Sequence, residues 1–391
     1  MNFFEPYDWN TILNEYPPQN YSIKAYHKIL SPEYPGFLDK YIELPLLQRL
    51  QGVGLLCGTD WTSLYKNRFY YSRLDHSIGV ALIIWHFTKD KAQTIAGLLH
   101  DVSTPVFSHV SDFRKGDALT QTATEEDNAG ILRRNADLAK LLKDDGLTIE
   151  EVEDYHKYPV ADNEIPQLSA DRLEYMFPSG MALCGCWTME EIERCYKDLE
   201  ILKNEDGKDE LGFKTLETAE LYCERFCKIG HILQLNENKL TLQLLGEIMN
   251  RAVQLQILCE DDFMTLSEKE IICKLEKSSA FTKKITTVNS TAIIEQPSVS
   301  DSFYELYRLY KTFRTMTHIE HTAQPLPESQ FYSISLKVKQ RYINPLIGGA
   351  RLSQVSAKSH RIIQDFLTYK DTDFGCVKLW GGLQCGLQWG G

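Results

Sequence analysis

The sequence lacks the features that would place the protein in a membrane or direct it for secretion. It contains no run of about 18 apolar residues, the length that a transmembrane helix needs. Residues 1–5 lack the basic start of a signal peptide, and no apolar stretch of the signal-peptide kind follows them. We therefore expect a cytoplasmic protein that makes no membrane contact.

The sequence also lacks an excess of positive charge. Lys and Arg total 42 against 54 Asp and Glu, which gives a formal net charge of −12. Proteins that bind the nucleic-acid backbone usually carry a basic surface, so nucleic acid is not an expected partner. A local basic pocket for a small phosphorylated substrate is compatible with this balance.

Several catalytic motifs are missing as well. The sequence has no Gly-rich phosphate-binding loop, no Ser nucleophile elbow and no dinucleotide-binding fingerprint. Its ten cysteines include no C-x-x-C pair. Reduced, partly buried thiols are therefore favoured over a structural zinc site or disulfides.

The sequence has the length and composition of an ordinary globular protein. Its 391 residues are 43% apolar and 25% charged, and this length suits either two moderate domains or one large helical core with an appended part. We predict a core with an N-terminal extension over residues 1–200 and a helical C-terminal region over 201–391. Within the second region, a poorly ordered tail is predicted over 375–391.

Recurrent helix signals predict a mainly α fold. A hydroxyl N-cap followed three residues later by an acidic residue marks the start of a helix. Such starts are predicted at Ser72, Thr148, Thr188 and Ser267. Apolar periodicity predicts long helices over 216–233 and 240–258. Weak alternation over 331–338 predicts a few strands, so that the C-terminal part is α-rich with α+β as the alternative.

Four ionisable side chains within helical patterns form a candidate metal site. They are His76, His100, Asp101 and Asp171. Imidazole and carboxylate groups are ligands for divalent transition metals. Consecutive helical residues point about 100° apart, so a cation over the groove between them can contact both His100 and Asp101. Facing helices would supply the other ligands and leave coordination positions open for water and substrate.

The chain resembles the HD-domain metal-dependent phosphohydrolases, particularly their dNTP triphosphohydrolase-like branch. The ordered pattern H…HD…D, with R-x-x-H and F-S-H around it, carries the resemblance. The matching segments are residues 44–50, 71–80, 96–101, 105–112 and 171–175. The resemblance implies a helical HD-domain core and hydrolysis of phosphoesters. It also implies that the four side chains bind a divalent ion, with Mn, Fe, Zn, Ni and Mg as candidates.

The same resemblance implies roles for six further residues. Substrate-binding roles are implied for Arg73, Arg172 and Tyr175. Catalytic roles are implied for His109, Asp112 and Glu125. His109 would donate a proton to the leaving oxygen, and a guanidinium suits phosphate because its planar fork can bind two oxygens. Family members often oligomerise, so a homo-oligomer is also expected.

The sequence departs from the branch pattern at four positions. Leu55, Thr104, Thr124 and Ser179 stand where the branch has Gln, His, His and Asp. The metal-binding part of the pattern is intact, whereas the part that selects the nucleotide is eroded. We therefore expect a metal-dependent phosphohydrolase acting on a nucleotide or other small phosphoester, either dNTP triphosphohydrolase-like or a phosphomonoesterase. The alternative is a catalytically weak or inactive protein that binds metal and a phosphorylated ligand in a regulatory role.

Overall fold

The structure is a computed structural model that describes residues 22–119, 127–278 and 301–381. Over these ranges the chain is mainly helical with a few short strands, which confirms the predicted fold class. None of the helices in these ranges has both the length and the hydropathy to cross a membrane. Thr124 and Glu125 lie outside the described residues.

The helices of the N-terminal half build most of the core. They are α1 (Ile23–Leu30), α2 (Asp39–Ile42), α3 (Pro45–Gln48), α4 (Arg73–Thr88), α5 (Lys91–Leu99), α6 (Val110–Arg114), α7 (Asn128–Arg134), α8 (Ala136–Asp144), α9 (Ile149–Val152), α10 (Ala170–Leu183) and α11 (Met189–Lys197). Short 3-10 turns lie at Gly36–Leu38, Arg49–Gly52, Thr59–Trp61 and Tyr155–Lys157.

The C-terminal half mixes helices with short strands. Its helices are α12 (Leu216–Gln234), α13 (Asn236–Gln254), α14 (Asp262–Thr265), α15 (Glu268–Glu276), α16 (Asp301–Thr315), α17 (Leu352–Val355) and α18 (Ala357–Thr368). The strands are β1 (Leu199–Lys203), β2 (Asp209–Phe213), β3 (Glu320–Thr322), β4 (Phe331–Ile334), β5 (Leu346–Ile347), β6 (Ala350–Arg351) and β7 (Phe374–Lys378).

The described strands form two small sheets. One has the order β1-β2-β5-β6, in which β2 and β5 run parallel and the other neighbours antiparallel. In this sheet Leu199 pairs with Phe213, and Gly212 pairs with Leu346. The other sheet has the antiparallel order β3-β7-β4. Strand β4 confirms the prediction of a strand in the last third of the chain.

Most of the predicted helix starts agree with the structure. Capping boxes, in which the N-cap hydroxyl and an acidic side chain each bond the other's backbone N–H, are present at all four predicted positions. At the first of these, the Asp75 N–H donates to Ser72 Oγ at 3.0 Å. Helix α12 matches its prediction. Helix α13 begins four residues before the predicted start at 240. The prediction missed this first turn because its residues are polar and add nothing to the apolar periodicity.

Helix α4 lies at the centre of the N-terminal half and packs against α1, α5 and α10. Apolar side chains surround it on most sides, so it is buried along most of its length. Gly97 allows α5 to approach closely, since a Cβ there would lie 2.2 Å from Ile84 Cδ1. This contact places the end of α5 against the second half of α4.

The predicted division of the chain is not visible as a break in the fold. Strand β1 crosses residue 200 and pairs with β2, so the two-domain division stays a prediction. The start of the predicted poorly ordered tail differs from the structure. Gly375 and Cys376 belong to β7, and Cys376 is fully buried between β3 and β4. Residues 382–391 lie outside the described ranges.

Candidate metal centre

The structure brings the four predicted metal ligands together. His76 lies in the first turn of α4, His100 and Asp101 follow α5, and Asp171 lies in the first turn of α10. The Nε2 atoms of His76 and His100 are 3.2 Å apart. His76 Nε2 lies 3.1 Å from Asp171 Oδ1 and 3.8 Å from Asp101 Oδ2. Four donor atoms from three elements therefore face one point.

Both imidazole rings are held by acceptors on the side away from this point. His76 Nδ1 lies 2.6 Å from Glu174 Oε2, and His100 Nδ1 lies 2.7 Å from the Gly97 carbonyl oxygen. Because both partners accept hydrogen bonds, each neutral ring carries its proton on Nδ1. The Nε2 lone pairs then face the centre, as in metal-binding histidines whose other nitrogen donates to a carboxylate or a carbonyl.

The donor set fits a divalent cation. Two imidazole lone pairs that face each other repel unless a positive charge lies between them. Burial would lower the pKa of His76, but hydrogen bonds and charges from Asp171 and Glu174 raise it to about 10. Burial would likewise raise the pKa of Asp171, but His76 lowers it to about 2. Two imidazole nitrogens and two carboxylates suit a transition metal better than an ion that prefers oxygen ligands alone.

Glu174 was not among the residues predicted from the sequence. Its side chain is fully buried, accepts from His76 through Oε2, and accepts from the Tyr71 hydroxyl through Oε1 at 2.6 Å. Gly79 leaves room for it, since a Cβ there would lie 2.4 Å from Glu174 Oε1. A signal was present, because Glu174 follows Asp171 by three residues and so shares its helix face.

Arg73 lies beside the metal centre, as predicted, and contacts one of its carboxylates. Its Nη1 donates to Asp101 Oδ2 at 2.8 Å, and its Nε donates to Ser108 Oγ at 3.0 Å. The other Asp101 oxygen accepts from Thr104 Oγ1 at 2.8 Å. Burial would raise the pKa of Asp101, but Arg73, His100 and His76 hold it well below its usual range. Asp101 is therefore ionised at neutral pH.

His109 and Asp112 form a hydrogen-bonded pair near the centre. His109 Nδ1 lies 2.9 Å from Asp112 Oδ2, and Asp112 is completely buried. Burial is the main cause that lowers the pKa of His109. Asp112 opposes this shift, and the charges of Arg341 and Arg73 add to it. The pair fixes the Nδ1 edge of the imidazole, and His109 lines the cavity.

Arg172 and Tyr175 both line the cavity, but Arg172 is engaged elsewhere. Its Nη1 lies 3.2 Å from Asp162 Oδ1, and its Nε donates to the Gln167 carbonyl oxygen at 2.8 Å. Its Nη2 also donates to the carbonyl oxygen and to Oδ1 of Asn163. The predicted contact of Arg172 with phosphate would compete with these partners and stays a prediction.

A cavity of about 250 Å³ connects these groups. The metal centre, Arg73 and His109 lie on its wall, with Tyr175 and Arg172 beside them. The C-terminal half supplies further wall residues that were not predicted. These include Gln234, Asn238, Leu242, Lys339 and Arg341. No motif marks them as cavity residues, because only the folded chain brings them to the cavity.

Comparisons with known proteins point to one class of enzyme. No family model matches the chain. The sequence is 23% identical over 276 residues to the uncharacterized protein YdhJ of Bacillus subtilis, which covers 69% of this chain and 81% of that protein. It is 27% identical over 153 residues to the metal-dependent phosphohydrolase cns2 of Cordyceps militaris, which covers 39% of this chain and 43% of that protein.

A solved structure has a similar fold. The crystal structure of a phosphohydrolase from Bacteroides thetaiotaomicron aligns with a TM-score of 0.56 at 14% identity, over 88% of this chain and 96% of that chain. The name of the Cordyceps militaris relative and this shared fold agree with the resemblance to metal-dependent phosphohydrolases seen in the sequence. At this identity the structural likeness concerns the fold, and the dNTP triphosphohydrolase-like branch stays a prediction. The regulatory alternative has no support in the comparisons.

Three of the four departures from the branch pattern lie around the candidate metal centre and its cavity. Leu55 and Ser179 line the cavity. Thr104 holds the second oxygen of Asp101, at the place where a histidine was expected from the branch. The fourth, Thr124, lies outside the described residues. The substitutions thus alter the cavity wall and the surroundings of one metal ligand, while the four donor groups stay in place.

Proposed function

We propose that the protein is a metal-dependent phosphohydrolase that acts on a nucleotide or another small phosphoester. The observation that carries this proposal is the convergence of His76, His100, Asp101 and Asp171 on one point at the wall of a cavity. The name of the Cordyceps militaris relative supports the same reaction class. A cytoplasmic location, the absence of nucleic-acid partners and a homo-oligomer remain expectations.

The bound ion would supply the part of the chemistry that the side chains cannot. A divalent ion held by the two imidazoles and two carboxylates would polarise a phosphoryl oxygen and lower the pKa of bound water. Glu174 and the Gly97 carbonyl keep the two rings oriented toward it. Asp101 stays charged because Arg73 and Thr104 hold its oxygens.

The remaining side chains position the phosphate and move protons. Arg73 offsets negative charge on the phosphoryl oxygens while staying tied to Asp101 and Ser108. In hydrolysis the oxygen of water forms the new bond to phosphorus, the bond to the leaving oxygen breaks, and the leaving oxygen gains a proton. His109 is the proposed proton donor, since Asp112 holds its Nδ1 and the residue lines the cavity.

The departures from the nucleotide-selecting part of the branch pattern affect which substrates should be tested. Leu55 and Ser179 lack the amide and carboxylate that the branch uses at these positions, so other phosphoesters belong in the test beside dNTPs. One assay of the released products distinguishes the two proposed subtypes. A triphosphohydrolase releases tripolyphosphate from a dNTP, whereas a phosphomonoesterase releases phosphate from a monoester.

The deciding experiment compares the purified protein with Asp101→Ala in a broad substrate panel. Nucleoside mono-, di- and triphosphates and simple phosphomonoesters are incubated with each divalent metal, and phosphate, pyrophosphate and tripolyphosphate are measured. Asp137→Ala, an exposed change on α8, is the matched control. We expect release by the wild type and the control and a loss in Asp101→Ala. Equal release of these products by the wild type, the control and Asp101→Ala would refute the proposed enzymatic activity. Nucleotide binding by metal-loaded wild type without any release would favour the regulatory alternative.

A further inference from the structure

The segment 338–344, which we call the crossing segment, forms part of the cavity wall. It connects β4 to β5 and is contributed by the C-terminal half of the chain. Val338, Lys339 and Arg341 lie on the cavity. None of these residues belongs to the HD-type pattern, and the reaction proposed above does not use them.

Backbone hydrogen bonds hold the crossing segment to three parts of the site. The Lys339 N–H donates to the Ala118 carbonyl oxygen at 3.3 Å, just after α6. The Lys339 carbonyl oxygen accepts from Gln234 Nε2 at 3.0 Å, at the end of α12. The Asn344 N–H donates to the Pro166 carbonyl oxygen at 2.8 Å, before α10. Because three anchors hold it and one of them, Gln234, itself lines the cavity, the segment has a fixed position beside the cavity.

Close packing against α12 also places Arg341. A Cβ on Gly230 would lie 3.5 Å from the Arg341 carbonyl oxygen, so the backbone at Arg341 lies directly on this helix. The side chain is partly buried and lines the cavity. A long guanidinium side chain on a fixed backbone presents its charge to a limited volume, which lowers the entropy lost on binding an anion.

The charge of Arg341 acts on groups from both halves of the cavity wall. Burial is the main influence on the pKa of its neighbours, raising that of Cys57 and Tyr175 and lowering that of His109. The Arg341 charge lowers the pKa of all three. Arg341 lines the same cavity as His109, the proposed proton donor, and Tyr175 on α10, so its charge acts on both across the cavity.

The three cavity arginines occupy different parts of the wall. Arg73 lies 2.8 Å from Asp101 at the metal centre, and Arg172 lies 3.2 Å from Asp162 in the loop before α10. Arg341 adds a positive charge from the crossing segment. A phosphate at the metal centre would face Arg73, so Arg341 is placed for a second group.

We propose that Arg341 is a substrate-binding residue that recognises an anionic group other than the phosphate at the metal centre. This inference rests on the proposed function and narrows its substrate class to phosphorylated compounds with at least two separate anionic groups. A guanidinium can bind either a second phosphate or a carboxylate through paired hydrogen bonds. A simple monoester with a neutral leaving group would not use this contact.

The test measures binding of phosphonates, whose C–P bond resists hydrolysis. Alkylphosphonates with one to three carbons are compared by calorimetry with their ω-carboxylated counterparts, from phosphonoacetate to 4-phosphonobutyrate, on the metal-loaded full chain. We expect at least one carboxylated compound to bind on the order of 10- to 100-fold more tightly than its uncharged partner. The range of lengths allows for the distance between the two sites.

Three variants separate the contact from general effects. Arg341→Gln should lose this advantage and keep its affinity for the alkylphosphonates. Lys337→Gln, which removes a charge from an exposed position near the crossing segment, should keep the advantage. Arg341→Lys retains the positive charge and should keep at least a threefold advantage. If Arg341→Gln fails to fold, the result with Arg341→Lys decides whether the charge of Arg341 causes the advantage.

Two failures are distinguishable. If the wild type binds alkylphosphonates without any advantage for the carboxylated compounds, the assignment of Arg341 is wrong and the phosphate site stands. Equal weakening of both compound types in Arg341→Gln would also overturn it. If the wild type binds no phosphonate at all, the proposed phosphate site itself is wrong.

Discussion

The metal centre and the crossing segment hold their side chains in different ways. At the metal centre the ligands project from α4, α10 and the end of α5, and buried partners such as Glu174 fix them. The crossing segment has no regular structure between β4 and β5, and backbone hydrogen bonds to distant residues fix it. The first region is rigid through local helices, whereas the second depends on the packing of the whole chain.

This difference indicates how substitutions in each region would affect function. A metal centre needs particular donor atoms at nearly fixed positions, so few residue types are acceptable there. A loop that contributes one cation to a cavity wall can vary without disturbing the donors. We therefore expect substitutions at the metal centre to abolish the reaction and those along the crossing segment to change which substrates are used.

The largest effect is expected from removing a ligand. Asp101→Ala deletes a metal donor and leaves Arg73 without its carboxylate partner. We expect the bound metal to be lost and the rate of phosphate release to fall by at least about 1000-fold. Metal analysis by mass spectrometry and the release assay check this. Full metal content in the variant would show that the helices do not form the site.

The next largest effect tests how the C-terminal half is held. Arg351 on β6 forms paired contacts with Glu210, at 2.6 and 3.0 Å, and with Glu205. Glu210 is completely buried and also accepts from the Leu168 N–H, just before α10. Arg351→Met leaves this carboxylate buried without its cation, so the free energy of unfolding should fall by about 3–5 kcal/mol.

Urea unfolding with an exposed ion pair as the control checks the Arg351 prediction. Lys197 on α11 lies 2.6 Å from Glu193, and both side chains are exposed. Lys197→Met should change the free energy of unfolding by about 0.5 kcal/mol or less. Similar effects of the two substitutions would mean that the buried pair does not hold the C-terminal half to the site.

A moderate effect is expected from the partner of a ligand. Glu174→Gln keeps the size of the side chain and removes the charge that holds His76 Nδ1. Metal affinity should fall about 10- to 100-fold, because such partners orient the ring and increase its basicity. A competition titration with a metal indicator measures this, and Glu193→Gln on the surface of α11 is the control. An unchanged affinity would show that helix packing alone orients His76.

The smallest predicted effect is a shift of the pH profile. His109 acts as a proton donor only while protonated, so activity should decline as the pH rises through its pKa. Burial and the charges of Arg341 and Arg73 lower the pKa of His109, whereas Asp112 raises it. Asp112→Asn removes the raising charge, so the decline should move to lower pH by about one unit or less. The dependence of kcat/KM on pH measures it, and a shift to higher pH would contradict the role of His109.

The metal centre could be predicted from the sequence because its chemistry restricts the residue types. Two histidines and two aspartates on apolar helices are costly to bury without a function, and the resemblance placed all four. The ligand roles themselves remain predictions for the metal analysis. Glu174 could have been found from its spacing to Asp171, since i and i+3 share a helix face.

The other parts of the cavity could not be predicted in this way. Arg172 was assigned to phosphate on its position alone, but its partners Asp162 and Gln167 become neighbours only when the loop before α10 folds. Arg341 lies far along the chain from His109, in a segment without periodicity or motif. Only long-range contacts, such as that of Lys339 with Ala118, bring it to the cavity.

A crystal structure grown with Mn²⁺ tests the central claim most directly, because anomalous scattering locates the ion. We predict one strong peak bounded by His76 Nε2, His100 Nε2 and carboxylate oxygens of Asp101 and Asp171, at about 2.0–2.3 Å from each. A peak elsewhere in the molecule, or four empty side chains in a protein that still releases phosphate, would contradict the account.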